Sequence, residues 1–162
     1  AIVMTDGEGP HLMGFRSGAD GSNPSLLHQP AGGSKMPASI SSVENREHFL
    51  KMNGKEIFKS AVRVMEKATR ELLEANGLRT KQVDHVIPHQ ANFRIVESMA
   101  QRLEIPIEKF FCNLELHGNT SAASIPIAFD EACQKGIFRK GEMGVLVAFG
   151  AGLTWSATLV RF

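Results

Sequence analysis

An excess of charge of one sign is absent from this sequence: 18 Lys and Arg stand against 17 Asp and Glu, leaving a formal charge of +1 over 162 residues. That balance suggests neither a nucleic-acid footprint nor a disordered acidic tail, so any basic patch must be local. Cysteine is scarce. Cys112 and Cys133 sit in no CxxC pair and at no zinc-ligand spacing from a histidine, and two are too few for a disulfide framework. A reducing, cytoplasmic location is the simpler expectation. No apolar run reaches the roughly 18 residues of a membrane span. The amino terminus lacks the basic region and apolar stretch of a signal peptide, so a soluble protein is expected. No internal repeat of about 20 to 50 residues is apparent.

What is present fits one domain with a core between packed layers. The opening AIVMTD reads as the middle of a strand, as expected of a piece cut from a longer polypeptide. Residues 7 to 54 are rich in Gly, Ser, Pro and Asn, with scattered apolar positions such as Leu12, Met13, Phe15, Leu26 and Leu27. They read as a loop-dominated excursion pinned to something larger. From Lys55 the pattern changes. Ile57, Phe58, Ala61, Val64, Met65, Ala68, Leu72 and Leu73 recur at three- and four-residue steps, which predicts a long amphipathic helix stopped at Gly77.

VDHVIP (83–88) then predicts a short strand, followed by a helix from about Ala91 to Leu103. FFCNL (110–114) is a further strand candidate. TSAASIPIAFDEACQKG (120–136) reads as a helix with Pro126 near its start and Gly136 at its end. The tail reads as two strands joined at FGAG (149–152), where glycine lets backbone approach a ligand. This order predicts a layered α/β/α domain built on a mixed sheet.

Two polar knots interrupt that grammar. IPHQANFRIVES (87–98) places His89, Gln90, Asn92 and Arg94 directly after the predicted strand, and LHGNTSAAS (116–124) adds His117 and Asn119. A single histidine in such a place is often structural. Ligands of open α/β sheets, however, gather outside the carboxyl ends of strands, where both knots are expected. Imidazole and carboxamide N–H groups are neutral donors suited to a developing enolate or oxyanion.

A nucleophile to accompany them is harder to find. Ser121 and Ser124 lack a GxSxG elbow and read as helix starters; Cys112 lies in an apolar strand candidate, and Cys133 late in a helix, where the dipole disfavours a thiolate. A metal site from His85, His89 and His117 lacks a completing carboxylate. Arg94 reads either as a solvated side chain or, with Lys59, Arg63 and Arg102, as a local basic patch.

Four segments in order, MNGKEIFKSAV, VIPHQANFRIVESMAQRL, HGNTSAAS and VAFGAGLTWSATLVRF, resemble the carboxyl-terminal half of β-ketoacyl-acyl-carrier-protein synthase III, from about residue 52 to the end, with looser similarity back to residue 1. The resemblance implies a thiolase-like α/β/α half with a mixed sheet. Residues 1–54 would end the amino-terminal half and form the loop-rich excursion, and 55–162 would form the carboxyl-terminal condensing domain. It implies a Cys–His–Asn triad in which His89 and Asn119 match the histidine and asparagine, while the cysteine belongs to an amino-terminal half outside this sequence. Neither Cys112 nor Cys133 matches it.

The implied reaction is a decarboxylative Claisen condensation that initiates fatty acid synthesis. An acyl-CoA primer, typically acetyl-CoA, condenses with malonyl-acyl carrier protein; acyl-CoA is a substrate, and no cofactor or metal is implied. Gly54, Phe58 and Asn92 resemble residues along the pantetheine tunnel. Phe149 and Gly150 resemble the loop beside the acyl pocket, with Ala151 where glycine is commoner. Arg94, with Lys59 and Arg102, resembles the carrier-protein docking site. A homodimer is implied as well. The alternative is a stand-alone half-domain that binds acyl-CoA or acyl carrier protein without turnover.

Overall fold

Residues 11–162 are described by a computed structural model; the strand expected at residues 1 to 6 lies outside the described residues. In chain order the elements are β1 (His11–Ala19), β2 (Leu27–His28), α1 (Ile40–Glu44), β3 (Lys51–Met52), α2 (Gly54–Ala75), β4 (His85–Pro88), α3 (Phe93–Leu103), α4 (Leu114–His117), α5 (Ser124–Gln134), β5 (Met143–Gly150) and β6 (Thr154–Arg161), with short 3-10 turns between several of them. Four strands form one sheet in the order β1-β6-β5-β4. β4 and β5 are parallel, and the other two pairings are antiparallel, giving the expected mixed sheet.

The apolar stripe predicted from Lys55 folds as α2. Asn53 caps its start by accepting from Glu56 N at 3.3 Å, and Gly77 follows its end at a φ of +68°. Ile57, Ala61, Met65, Ala68, Leu72 and Leu73 are buried on its inner face, together with Val62 and Thr69, which the stripe had not included. Val64 is only half-buried. This face lies across β6, β1 and β5 and beside α3, so the largest apolar stripe covers the centre of the sheet. At the outer edge of the α2–α3 contact, Glu66 bonds both Arg70 and Arg102 at 3.1 Å. Such exposed pairs are worth at most about 1 kcal/mol each.

Two expectations need correction. The stretch from 7 to 54, read as loop-dominated, contains a strand that this reading did not place: His11–Ala19 forms β1 and pairs along the length of β6, from His11 opposite Arg161 to Ala19 opposite Thr154. Gly14 and Gly18 disguised the strand. At Gly18 an added Cβ would lie 2.5 Å from the Trp155 ring, so glycine there permits a close cross-strand approach rather than marking a loop. The remainder, 20 to 53, is mostly irregular around α1 and the small β2–β3 ribbon.

The second correction concerns FFCNL, which makes one parallel bridge, Phe110 to Val86, and then leaves the sheet to enter α4. Its carbonyl at Phe111 and amide at Asn113 are bonded by the Gln90 side chain instead of a neighbouring strand. Smaller differences are local. α3 starts at Phe93 because the Asn92 carboxamide caps Arg94 N at 3.0 Å. Pro126 is the third residue of α5, where its missing N–H breaks no helical bond. Among the described residues, no helix is long and apolar enough to cross a membrane.

Candidate active site

β4 delivers His89 to the end of the sheet. The His89 amide donates to Val147 O at 2.8 Å, prolonging the parallel ladder one residue past Pro88 and fixing where the side chain departs. Asn119 arrives from the other knot. α4 ends at Gly118 with a φ of +66°, and the chain turns back through Ser121, a non-glycine residue at a φ of +55°, before α5 begins. His89 and Asn119 line one cavity of about 830 Å³. Ile57, Ala61 and Met65 of α2 wall one part of it, and Phe149 and Gly150 of β5 another.

Both polar side chains are held by one edge, leaving the other edge for the cavity. Asn119 Oδ1 accepts from Ser121 N at 3.0 Å, so the carboxamide donor, Nδ2, is the free end. His89 Nδ1 lies 2.6 Å from Ser124 Oγ, and the same oxygen accepts from Gln90 N at 3.3 Å. Ser124 is 2% exposed. A buried hydroxyl is fully satisfied here only when it accepts from the amide and donates its proton to Nδ1. Hydrogen-bond satisfaction thus assigns the His89 proton to Nε2, making that nitrogen a donor. Burial pulls the imidazole pKa below the ordinary histidine value, which favours the neutral ring. The arrangement offers two neutral N–H donors beside an apolar space, which suits an oxygen that gains negative charge during a reaction.

The other expected residues separate into groups. Phe149 and Gly150 line the cavity, as does Ala151. Gly54, Phe58 and Asn92 do not: Gly54 opens α2, Phe58 packs against the core, and Asn92 caps α3. Arg94 is exposed in the first turn of α3 and has no carboxylate partner among the described residues, whereas Lys59 pairs with Glu56 at 2.9 Å and Arg102 is bound to Glu66 at the far end of the helix. The three cations expected to act together therefore do not form one free cluster.

The histidines of the metal alternative are dispersed into separate contacts. His85 bonds Glu142 at 2.7 Å, and His117 faces Glu131 at 3.5 Å. Lys135, then Asn113, hold the Glu131 carboxyl down to about 2. No group of three metal-ligating side chains occurs among the described residues. Neither cysteine lines the cavity, and burial pushes the Cys112 thiol up to about 11 and raises that of Cys133.

Sequence reasoning missed four contributors. Ser124 looked like a helix starter and turns out to orient His89 across 35 positions of chain, a pairing with no local signal. Leu27, Leu50 and Met52, from the loop-rich excursion and its ribbon, also line the cavity, and no periodicity marked them.

The mixed sheet with helices packed on it is an α/β fold of the thiolase type. The family described as 3-oxoacyl-[acyl-carrier-protein (ACP)] synthase III C terminal matches residues 73–162, and the chain belongs to it. The chain is 48% identical over 162 residues to a β-ketoacyl-[acyl-carrier-protein] synthase III from Caldanaerobacter subterraneus subsp. tengcongensis, covering 100% of this chain and 49% of the relative. It is also 48% identical, over 151 residues, to the synthase of the same name from Natranaerobius thermophilus, covering 93% of this chain and 46% of that one. Among solved structures, 3-oxoacyl-[acyl-carrier-protein] synthase III from Aquifex aeolicus VF5 superposes with a TM-score of 0.82 at 41% identity, over 98% of this chain and 46% of the other. The chain spans about half the length of the curated relatives it matches.

Proposed function

We propose that this chain supplies the enolate-stabilising half of a β-ketoacyl-acyl-carrier-protein synthase III site, whose nucleophilic cysteine is carried by an amino-terminal half. One observation carries the reading: His89 and Asn119, 30 positions apart in sequence, meet at one cavity with their non-donating atoms bonded to protein and their N–H groups left over. The names of the relatives supply the reaction class.

In this reading the cysteine thiolate takes the acyl group of an acyl-CoA primer, acetyl-CoA in the simplest case, and free CoA leaves. Malonyl carried by acyl carrier protein then enters the same cavity. Its carboxylate carbon–carbon bond breaks, CO₂ departs, and the electron pair delocalises onto the thioester oxygen as an enolate. Nε2–H of His89 and Nδ2–H of Asn119 donate to that oxygen. The enolate carbon attacks the acyl-cysteine carbonyl, a tetrahedral intermediate collapses, the thiolate is expelled, and a β-ketoacyl thioester remains on the carrier. Every step uses side chains and substrates alone, with acyl-CoA as a substrate rather than a cofactor. The apolar walls from α2 and the Phe149–Gly150 backbone suit a pantetheine arm and a short acyl chain. A cytoplasmic homodimer is the assembly the resemblance implies.

Arg94 is the residue assigned to the acidic carrier protein, because it is exposed at the start of α3 and has no carboxylate partner among the described residues. Arg94→Glu is expected to raise KM for malonyl-acyl carrier protein by roughly tenfold while the KM for the CoA primer changes little, consistent with the loss and reversal of one interfacial charge. Steady-state kinetics with each substrate varied in turn checks this, and an unchanged carrier KM moves docking elsewhere. Because Lys59 and Arg102 are already paired, their charge reversals should act more weakly.

The absence of a cysteine from the cavity lining favours one other reading, a half-domain that binds acyl-CoA or carrier protein without turnover. Denaturing intact-mass measurement of the protein purified from its source, before and after exposure to acetyl-CoA, separates the two. Under the proposal, the covalent acetyl group appears on a segment or chain outside these 162 residues. If no species gains an acetyl group, the condensation reading is lost and the binding reading stands.

A further inference from the structure

We propose that Gln90 is a positioning residue that holds His89 and Asn119 in register, because its one carboxamide joins the end of β4, which carries His89, to the 111–113 segment, which leads through α4 to Asn119; this rests on the enolate-donor reading above. Gln90 is 1% exposed and is the largest of the buried polar side chains among the described residues. Its Nε2 donates to Pro88 O at 2.8 Å and Phe111 O at 3.3 Å, and its Oε1 accepts from Asn113 N at 3.2 Å. Both amide hydrogens and the oxygen are therefore engaged by backbone groups.

The partners lie on the routes to both donors. Pro88 immediately precedes His89. Asn113 precedes α4, the single turn that runs into Gly118 and Asn119. The Gln90 amide donates to Ser124 Oγ, the atom that also holds His89 Nδ1, so backbone and side chain of one residue grip both ends of the arrangement. Asn113 Nδ2 continues the network to Glu131 of α5 at 2.8 Å.

An apolar residue could fill the same space. It could not satisfy two carbonyls and an amide from two segments of chain, and leaving those groups unpaired would let the β4 end and the α4 entry relax independently. Donor placement is where such relaxation is felt, since a shift of about 1 Å costs on the order of 100-fold in rate.

The test uses the complete two-half protein with Gln90→Met, which keeps length and removes hydrogen bonding, and Gln90→Glu, which keeps shape. Gln90→Met is expected to lower the rate of malonyl-thioester decarboxylation by roughly 10- to 100-fold, with primer transfer to the cysteine and KM for the malonyl substrate within about twofold of wild type. In a His89→Ala background the same change should cost under about threefold, because the donor it positions is gone.

Gln90→Glu adds a second readout. Protonated, the carboxyl keeps one donor for a carbonyl; ionised, it turns negative oxygens toward Pro88 O and Phe111 O. Its decarboxylation rate should therefore fall as pH rises, along a slope that wild type lacks. Equal loss in both half-reactions, or full additivity with His89→Ala, overturns the proposal and leaves Gln90 a core residue only. If Gln90→Met does not fold, Gln90→Glu decides alone, and a pH dependence identical to wild type overturns it. Should His89→Ala by itself retain decarboxylation, the enolate-donor reading has failed first, an outcome recognisable without any Gln90 variant.

Discussion

His89→Ala and Asn119→Ala are each expected to lower malonyl-thioester decarboxylation by about 10²- to 10³-fold, the usual cost of removing one preorganised donor to a developing oxyanion. Primer transfer to the cysteine should stay within a few-fold of wild type. The asymmetry follows from geometry: both side chains present N–H groups to the cavity, and neither belongs to the segment expected to hold the thiolate. Assaying the two half-reactions separately, with radiolabelled malonyl thioester and with acetyl-CoA, checks it; matched losses in both would remove the assigned roles.

The pH dependence has a definite sign. Under the proposed function His89 serves as a neutral donor, and burial lowers its pKa below the ordinary value of 6.5. Its contribution to rate should hold as pH drops through the usual histidine range and fail only below the lowered pKa. Stability follows the same linkage. Below pH 6.5 the unfolded chain takes up the proton more readily than the folded one, so this group erodes stability from there down to its folded pKa and adds no further loss beneath it. Ser124→Ala should weaken the tautomer preference, and its effect should therefore appear in decarboxylation rather than primer transfer.

Leu72→Ala should cost about 2 to 5 kcal/mol of folding stability, the range for emptying a fully buried leucine site. Leu72 is 0% exposed and sits within the main core cluster, on the face of α2 that covers the sheet. For a chain of 162 residues this corresponds to a fall of roughly 4 to 20 °C in Tm at about 2 to 4 °C per kcal/mol. Arg70→Ala, two residues earlier on the exposed face, should cost no more than about 1 kcal/mol. Urea unfolding of the pair provides the contrast. A Leu72→Ala loss no larger than that of Arg70→Ala would mean that α2 does not cover the sheet in this register.

Periodicity made most of the fold legible. α2 announced itself because its apolar stripe had to be continuous to cover three strands, and β5 and β6 because their β-branched runs were bracketed by glycine. β1 did not, since Gly14 and Gly18 are read locally as turn formers and are needed only because Trp155 and Asn76 come close from elsewhere in the chain. FFCNL misled for the converse reason. Its composition suits a strand, but a side chain from another segment takes the backbone groups a strand would have offered.

For the candidate site, the sequence alone determined which residue types stood at the ends of predicted elements, because strand ends and helix starts are set by neighbours a few positions away; among those polar residues it was the family resemblance that pointed to His89 and Asn119. Only the tertiary structure decided that they share a cavity, that Ser124 turns the His89 proton outward, that Arg102 is held by Glu66 while Arg94 has no carboxylate partner among the described residues, and that Gln90 bonds both knots. Those outcomes depend on which distant hydrogen-bond groups are left to meet once the sheet and α2 have packed, and pairings across tens of residues leave no period to read.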